Sequence, residues 1–439
     1  MSLKNGFAQL PIIIIIGIVI LGAGFVVVRK NFRMPRLILP VEKPGLPIPQ
    51  PAPLPSPSPS PSPTPSPSPS PAPTPSPPPP GSQPPSPSPT PNPVPAGSLN
   101  AQSAKGIFAL DSVKGTYRDN GIRSYDFVAG YAWRMGWYNF ESSKGVYDFA
   151  ALDHILGKLN PLGKKLSLNM LSSNKTEPAY ITAESGVTTW TFTDQNTRHE
   201  DYGKPQVKPV PWDSYLQSRF SIFAEKLANY QSPNPAGGTI ALRDNPALAQ
   251  IIVTIPGLGS IREGPGGAAT PELSTMPGYS RQVFIDAILA ALRAIARNFP
   301  QKPISVPFFH VTDTTTSPSL DQTIHDAIQA EFDGVKNPKV GYFQENLSAL
   351  NTTGSILCSP DGSRDPLKLA TGKTWLAFQM LQSWVTPFAN PSKNAGTIPT
   401  DAISCGNSLM GITYFEVYVP DLDNAAWHAS FRDWAAKLK

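Results

Sequence analysis

The chain has 439 residues, 53 of them proline, and a net charge of +5. That excess lies wholly in the first 99 residues, where six basic residues face one acid; the rest of the chain carries 30 of each sign. A balanced main body gives no electrostatic reason to expect nucleic acid as a partner, and two cysteines, Cys358 and Cys405, are too few for a disulfide scaffold.

Residues 10–28 form an apolar run broken only by Pro11 and three glycines. Nineteen such residues suffice to cross about 30 Å of hydrocarbon as a helix. No small-residue cleavage site ends the run, so it predicts an uncleaved transmembrane anchor behind a nine-residue tail. Lys4 precedes it, while Arg29, Lys30, Arg33 and Arg36 follow, a bias that favours a cytoplasmic C-terminal side. The stretch after it points the other way. Residues 51–97 hold 24 prolines, mostly in Pro-Ser repeats, as surface stalks do. Too few apolar residues are present to form a core, and a polyproline II spacer of that length reaches roughly 150 Å. The two together predict a single-pass cell-membrane protein whose C-terminal domain is held outside the cytoplasm. One bridge between Cys358 and Cys405 suits export, with two separate buried thiols as the alternative.

Residues 99–439 have ordinary globular composition. Short apolar runs at 106–110, 126–132, 165–171, 250–255, 304–310, 340–343, 374–378 and 411–417 read as strands covered on both faces. Helical periodicity falls between them at 149–159, 212–230, 281–299, 320–332 and 401–408, and the chain closes on 425–439. Eight strands alternating with helices over this length predict an α/β fold, a (β/α)8 TIM barrel.

In such a barrel chemistry gathers at the C-terminal ends of the strands. Those positions hold Trp133, Arg134 and Trp137 after the second strand, Asn169 ending the third, and Glu263 after the fourth. His310 ends the fifth, Glu345 follows the sixth between Gln344 and Asn346, Gln379 ends the seventh, and Glu416 and Tyr418 end the eighth. Aromatic faces stack on sugar rings, amides and arginine bond hydroxyls, and two carboxylates can break a glycosidic bond. Glu263 sits among Gly259, Gly264, Gly266 and Gly267, where backbone can approach a substrate closely, and is the candidate acid. For the second carboxylate, alternation puts Tyr414, Glu416 and Tyr418 on one face, and a carboxyl in so apolar a strand must be paired or functional. Glu416 is the first candidate and Glu345 the second. Trp133, Arg134, Trp137, Asn169, His310, Gln379 and Tyr418 are the candidate substrate-binding residues. Each has a plainer reading as core or as a satisfied strand-end group. Lacking a phosphate-binding glycine loop, a dinucleotide fingerprint and a His-Glu-x-x-His helix, the chain predicts no metal and no organic cofactor.

The stretch 133–153 resembles the second-strand signature of clan-A barrel glycoside hydrolases, especially the family-42 β-galactosidases. Glu141, Gly145, Tyr147, Asp148, Phe149, Leu152 and Asp153 follow that outline. The strand at 165–171, Pro178-Ala179-Tyr180 and the helix at 212–230 continue it. The resemblance implies Glu263 as the acid/base. Two departures stand against it: Arg262 occupies the family's asparagine position before that glutamate, and Gln379 occupies the place of its nucleophile. The expected function is a membrane-anchored, monomeric glycoside hydrolase acting on a polysaccharide or oligosaccharide. The alternatives are an inactive glycan-binding barrel on a stalk and a structural or protein-interaction surface protein.

Overall fold

The computed structural model describes residues 104–439 except 112–118, 171–176, 194–201, 260, 262–272, 312, 314–317, 333–338, 350–368, 388–393 and 395. The expected span at 10–28, the spacer at 51–97, Arg262, Glu263 and Cys358 lie outside the described residues. Among the described residues no helix is long and apolar enough to cross a membrane.

Eight parallel strands close one barrel in sequential order. They are β1 (Gly106–Leu110), β2 (Val128–Arg134), β3 (Lys165–Asn169), β4 (Leu248–Ile252), β5 (Ile304–Pro307), β6 (Val340–Leu347), β7 (Leu376–Met380) and β8 (Tyr414–Tyr418). The surrounding helices include α1 (Ala150–Leu159), α2 (Ser214–Asn229), α3 (Arg281–Asn298), α4 (Leu320–Phe332), α5 (Pro399–Met410) and α6 (His428–Lys437). All eight expected strands are present, which establishes the barrel. Three short antiparallel ribbons decorate the loops, at Glu141–Ser143 with Val146–Tyr147, Thr189–Thr193 with Pro205–Pro209, and Gln231–Pro233 with Thr239–Ala241.

The helices stand where apolar periodicity meets a start signal. Asp213 caps α2 by accepting from the Leu216 N–H, and Ser280 caps α3 through the Val283 N–H. Their apolar stripes (Phe220, Phe223 and Leu227 on α2; Ile288, Leu292 and Ile295 on α3) are fully covered against the barrel wall. Inside the ring space is tight. A Cβ on Gly130 would lie 2.2 Å from the Lys165 carbonyl oxygen and 2.6 Å from the Phe108 ring, so only glycine fits there. Cys405 of α5 is disulfide-bonded, and Cys358 is the only other cysteine of the chain.

Two strand boundaries differ from expectation in a way that matters for the site. β2 continues through Trp133 and Arg134, because Arg134 still pairs with Asn169 of β3. β6 runs to Leu347 instead of ending at residue 343. Its register against β7 is Gln344 to Phe378, then Leu347 to Met380, so Glu345 and Asn346 together oppose the single residue Gln379. That two-against-one count is a β-bulge, which bends the strand and re-aims a side chain.

Candidate functional site

The bulge turns Glu345 toward β2. Nη2 of Arg134 donates to Glu345 Oε1 at 2.7 Å and stands 3.7 Å from Glu416 Oε2, an ion-pair contact too long for a hydrogen bond. Legs of 2.7 and 3.7 Å from one nitrogen place those two carboxyl oxygens no more than 6.4 Å apart. Two strands that are not neighbours thus bring their carboxyls to one arginine at the C-terminal face.

The two carboxyls are not equivalent. The side chain of Glu416 is 0% exposed, that of Arg134 15% and that of Glu345 25%. Burial pushes the Glu416 carboxyl up to about 7, against the pull of Arg134, the Tyr414 hydrogen bond and the Asn169 amide, with Glu345 adding to the rise. Burial, more than the neighbouring carboxylate, therefore leaves Glu416 partly protonated near neutrality.

Around them the strand ends form a polar floor. Asn169 is fully buried at the end of β3, paired with Arg134 on one side and Ile252 on the other. Gln379 Nε2 donates to the Tyr418 hydroxyl at 2.9 Å. Gln344 Nε2 donates to the Phe308 carbonyl at 2.7 Å. Beneath Glu416, Tyr414 Oη lies 2.8 Å from Glu416 Oε1 and 2.8 Å from Ser167 Oγ, and Gln250 Nε2 lies 3.1 Å from that same Ser167 oxygen.

His310 lies three residues beyond β5, 43% exposed, with Nδ1 2.5 Å from Asp321 Oδ2. Asp321 is buried in the first turn of α4 and also accepts the Val311 N–H at 2.8 Å, so the ring is anchored through Nδ1. Trp133 is buried edge-on against Phe140. Trp137 is taken up by packing: it stacks on Phe223 of α2 and donates its indole N–H to Glu141 at 2.8 Å. Neither indole lies open to solvent. Glu141 is itself buried, accepting from Gly145, Tyr180 and Arg219 as well. Trp137, Glu141 and Gly145 therefore join Tyr180 and Arg219 in a hydrogen-bonded cluster between the β2 loop and α2.

Four polar residues of this region, Ser167, Gln250, Asp321 and Tyr414, were not among the sequence candidates. Ser167, Gln250 and Tyr414 were recoverable in part, as polar groups set by alternation in otherwise apolar strands; Asp321 had only its place at a helix start. Among the described residues no group of three or more His, Cys, Asp or Glu side chains is placed to hold a metal ion.

No family model and no curated protein matches the chain. Among solved structures it is similar to the catalytic domain of a β-amylase from Paenibacillus polymyxa, at 11% identity and a TM-score of 0.46, over 77% of this chain and 100% of that one. It is also similar to a psychrophilic endo-β-1,4-xylanase of glycoside hydrolase family 10, at 11% identity and a TM-score of 0.42, covering 72% of this chain and 86% of that one. A β-glucosidase follows at 12% identity and 0.36, over 66% and 73% of the two chains. None of these likenesses establishes a link to family 42.

Proposed function

We propose that the protein is a membrane-anchored glycoside hydrolase cleaving O-glycosidic bonds of a polysaccharide or oligosaccharide, with Glu345 as the substrate-facing nucleophile or base and Glu263 as the acid. The observation that carries this reading is the pose of Glu345. A bulge at the C-terminal face aims it, a covered arginine grips one oxygen, and a quarter of its side chain remains open. Glycoside cleavage needs one ionised carboxylate beside the anomeric carbon and one carboxylic acid at the leaving oxygen. Arg134 donates to Glu345 Oε1 at 2.7 Å and so fixes where that carboxyl stands. Glu416, the first sequence candidate for nucleophile or base, is fully covered, so that role passes to Glu345, and Glu263 keeps the acid's role. His310, with its ring held by Asp321, and the floor of Asn169, Gln379 and Tyr418 position the sugar. The apolar run at 10–28 and the proline-rich spacer support a cell-surface location, which protease shaving of intact cells tests directly.

One observation favours a second reading, a glycan-binding barrel without catalysis. Gln379 stands where the family-42 outline has its nucleophile, and its amide is spent on Tyr418. The deciding experiment incubates the detergent-solubilised full chain with an oligosaccharide and polysaccharide panel, beside Glu345→Gln and Glu263→Gln. Hydrolysis that falls by about 10²–10⁴-fold in each variant supports the enzyme. Binding without cleavage, unchanged by either substitution, overturns it in favour of the glycan-binding barrel.

A further inference from the structure

The side chain of Glu416 is 0% exposed, yet its carboxyl stands at the head of a chain of hydrogen bonds. Oε1 meets Tyr414 Oη, Tyr414 meets Ser167 Oγ, and Ser167 meets the Gln250 amide, at 2.8, 2.8 and 3.1 Å in turn. All four residues are fully buried. They come from β8, β3 and β4, so the chain of contacts runs across the barrel axis.

Donor accounting fixes its direction. An amide nitrogen can only donate, so Ser167 accepts from Gln250 and keeps its own hydrogen for Tyr414. Tyr414 then has one hydrogen to give, and it goes to the carboxylate. That arrangement satisfies an ionised Glu416. A neutral Glu416 needs the reverse, because its own O–H must find an acceptor. Oε2 is no place for that proton, since it faces the Arg134 guanidinium. With the proton on Oε1, Glu416 donates to Tyr414, Tyr414 to Ser167, and Ser167 requires an acceptor at position 250. One is at hand: Gln250 Oε1 is buried without a hydrogen-bond partner, and a half-turn of the amide presents it. Both charge states are therefore served by the same four side chains, and only hydroxyl rotors and one amide move.

We propose that Gln250, Ser167 and Tyr414 form a reversible hydrogen-bond chain that lets buried Glu416 hold or release a proton, and that the charge of Glu416 sets how tightly Arg134 grips Glu345. The three chain members and Glu416 are positioning residues, acting on Glu345 through Arg134; this rests on Glu345 being the substrate-facing carboxylate. With Glu416 neutral, Arg134 belongs to Glu345, which matches contacts of 2.7 against 3.7 Å. Once Glu416 ionises, two carboxylates compete for one guanidinium and Glu345 is partly released. The charged or titratable groups facing Glu416 are Arg134 from β2, Glu345 from β6, and Tyr414 and Tyr418 from β8; β1, β3 and β7 offer Phe108, Ser167, Asn169 and Gln379, none of which titrates. No bond other than the O–H of Glu416 forms or breaks, and its proton exchanges with water on the open side of Glu345.

The test is infrared difference spectroscopy of the detergent-solubilised full chain over a pH series, which requires no substrate and is indifferent to whether the barrel hydrolyses anything. A carboxylic-acid C=O band is expected to vanish with a midpoint of about 7 and to be missing in Glu416→Gln. A Glu345 carboxylate band, assigned by its loss in Glu345→Gln, should shift at that same midpoint and stay fixed in the Glu416→Gln background. Tyr414→Phe removes the donor to the carboxylate, so the midpoint should rise by about one unit. Ser167→Ala, a milder change, should move it the same way, and circular dichroism establishes that each variant folds. A midpoint untouched by both chain variants, or a Glu345 band that shifts equally without Glu416, overturns the proposal.

Discussion

Replacing Glu416 with glutamine keeps the shape of the side chain and removes one titration. Its carboxyl rests at about 7 in the folded protein against 4.5 in the ordinary state. Because the folded value is the higher one, the unfolded chain releases its proton first as pH rises. Between 4.5 and 7 the native state binds more protons, so stability falls with pH across that window and the loss is complete above about 7. The difference of about 2.5 units, at about 1.36 kcal/mol each, comes to about 3 kcal/mol. Urea unfolding of wild type and Glu416→Gln, run from below pH 4.5 to above pH 7, isolates this group because all others cancel in the difference. The variant should gain about 3 kcal/mol on the wild type across the window. A difference that stays flat with pH would refute the reasoning, since it would mean that Glu416 titrates alike in both states.

Two further substitutions probe the frame of the barrel. Lys339, fully buried before β6, donates to the carbonyls of Phe299, Pro300 and Lys302 at 2.7, 2.7 and 2.6 Å. Lys339→Met takes a donor from three carbonyls, of which that of Phe299 keeps the Lys302 N–H, and should cost about 3 kcal/mol, read as a lowered urea midpoint; an unchanged midpoint would show that the others find new donors. Asp321→Ala strips the Val311 N–H of its acceptor and frees the His310 ring, with an expected cost of about 1–3 kcal/mol. If the role of His310 in the site is real, the variant should also weaken retention on the glycan that the wild type binds; a stability loss alone would reduce the Asp321–His310 pair to a loop tether.

The barrel was legible because a parallel strand covered on both faces must be largely apolar, and the runs at 106–110, 304–310 and 411–417 carry that mark regardless of what they touch. Helix α4 was legible to the residue for the same reason of periodicity. Glu416 was legible as a buried group from the alternation of Tyr414, Glu416 and Tyr418. Its depth was not, because depth depends on what closes over the strand end. The bulge was invisible. Whether Glu345 lies past a strand or inside one is decided by the register of β6 against β7, a property of two segments about thirty residues apart. Arg134 reaches two carboxyls from strands that are not its neighbours, a geometry that no spacing along the chain encodes.

Gln379 is one of the two positions where the chain departs from the expected family-42 outline, and its surroundings suit an amide. It pairs with Glu416 across β7 and β8 and stands opposite the bulge that carries Glu345. A carboxylate there would add a third acid beside Glu416 and the bulge of Glu345. It would also turn an oxygen toward the Met380 carbonyl, which now receives the Gln379 amide at 3.2 Å. A neutral side chain at 379 thus adds no further negative charge beside Glu345 and Glu416. Gln379→Glu is accordingly expected to be tolerated near pH 5, where the added acid can stay protonated, and to lose about 3 kcal/mol of stability near pH 8, where it cannot without repelling its neighbours. It should not raise hydrolysis of any glycan. Should the variant instead be equally stable at both pH values and gain activity, the catalytic carboxylate belongs on β7, and Glu345 is only the partner that holds Arg134 in place.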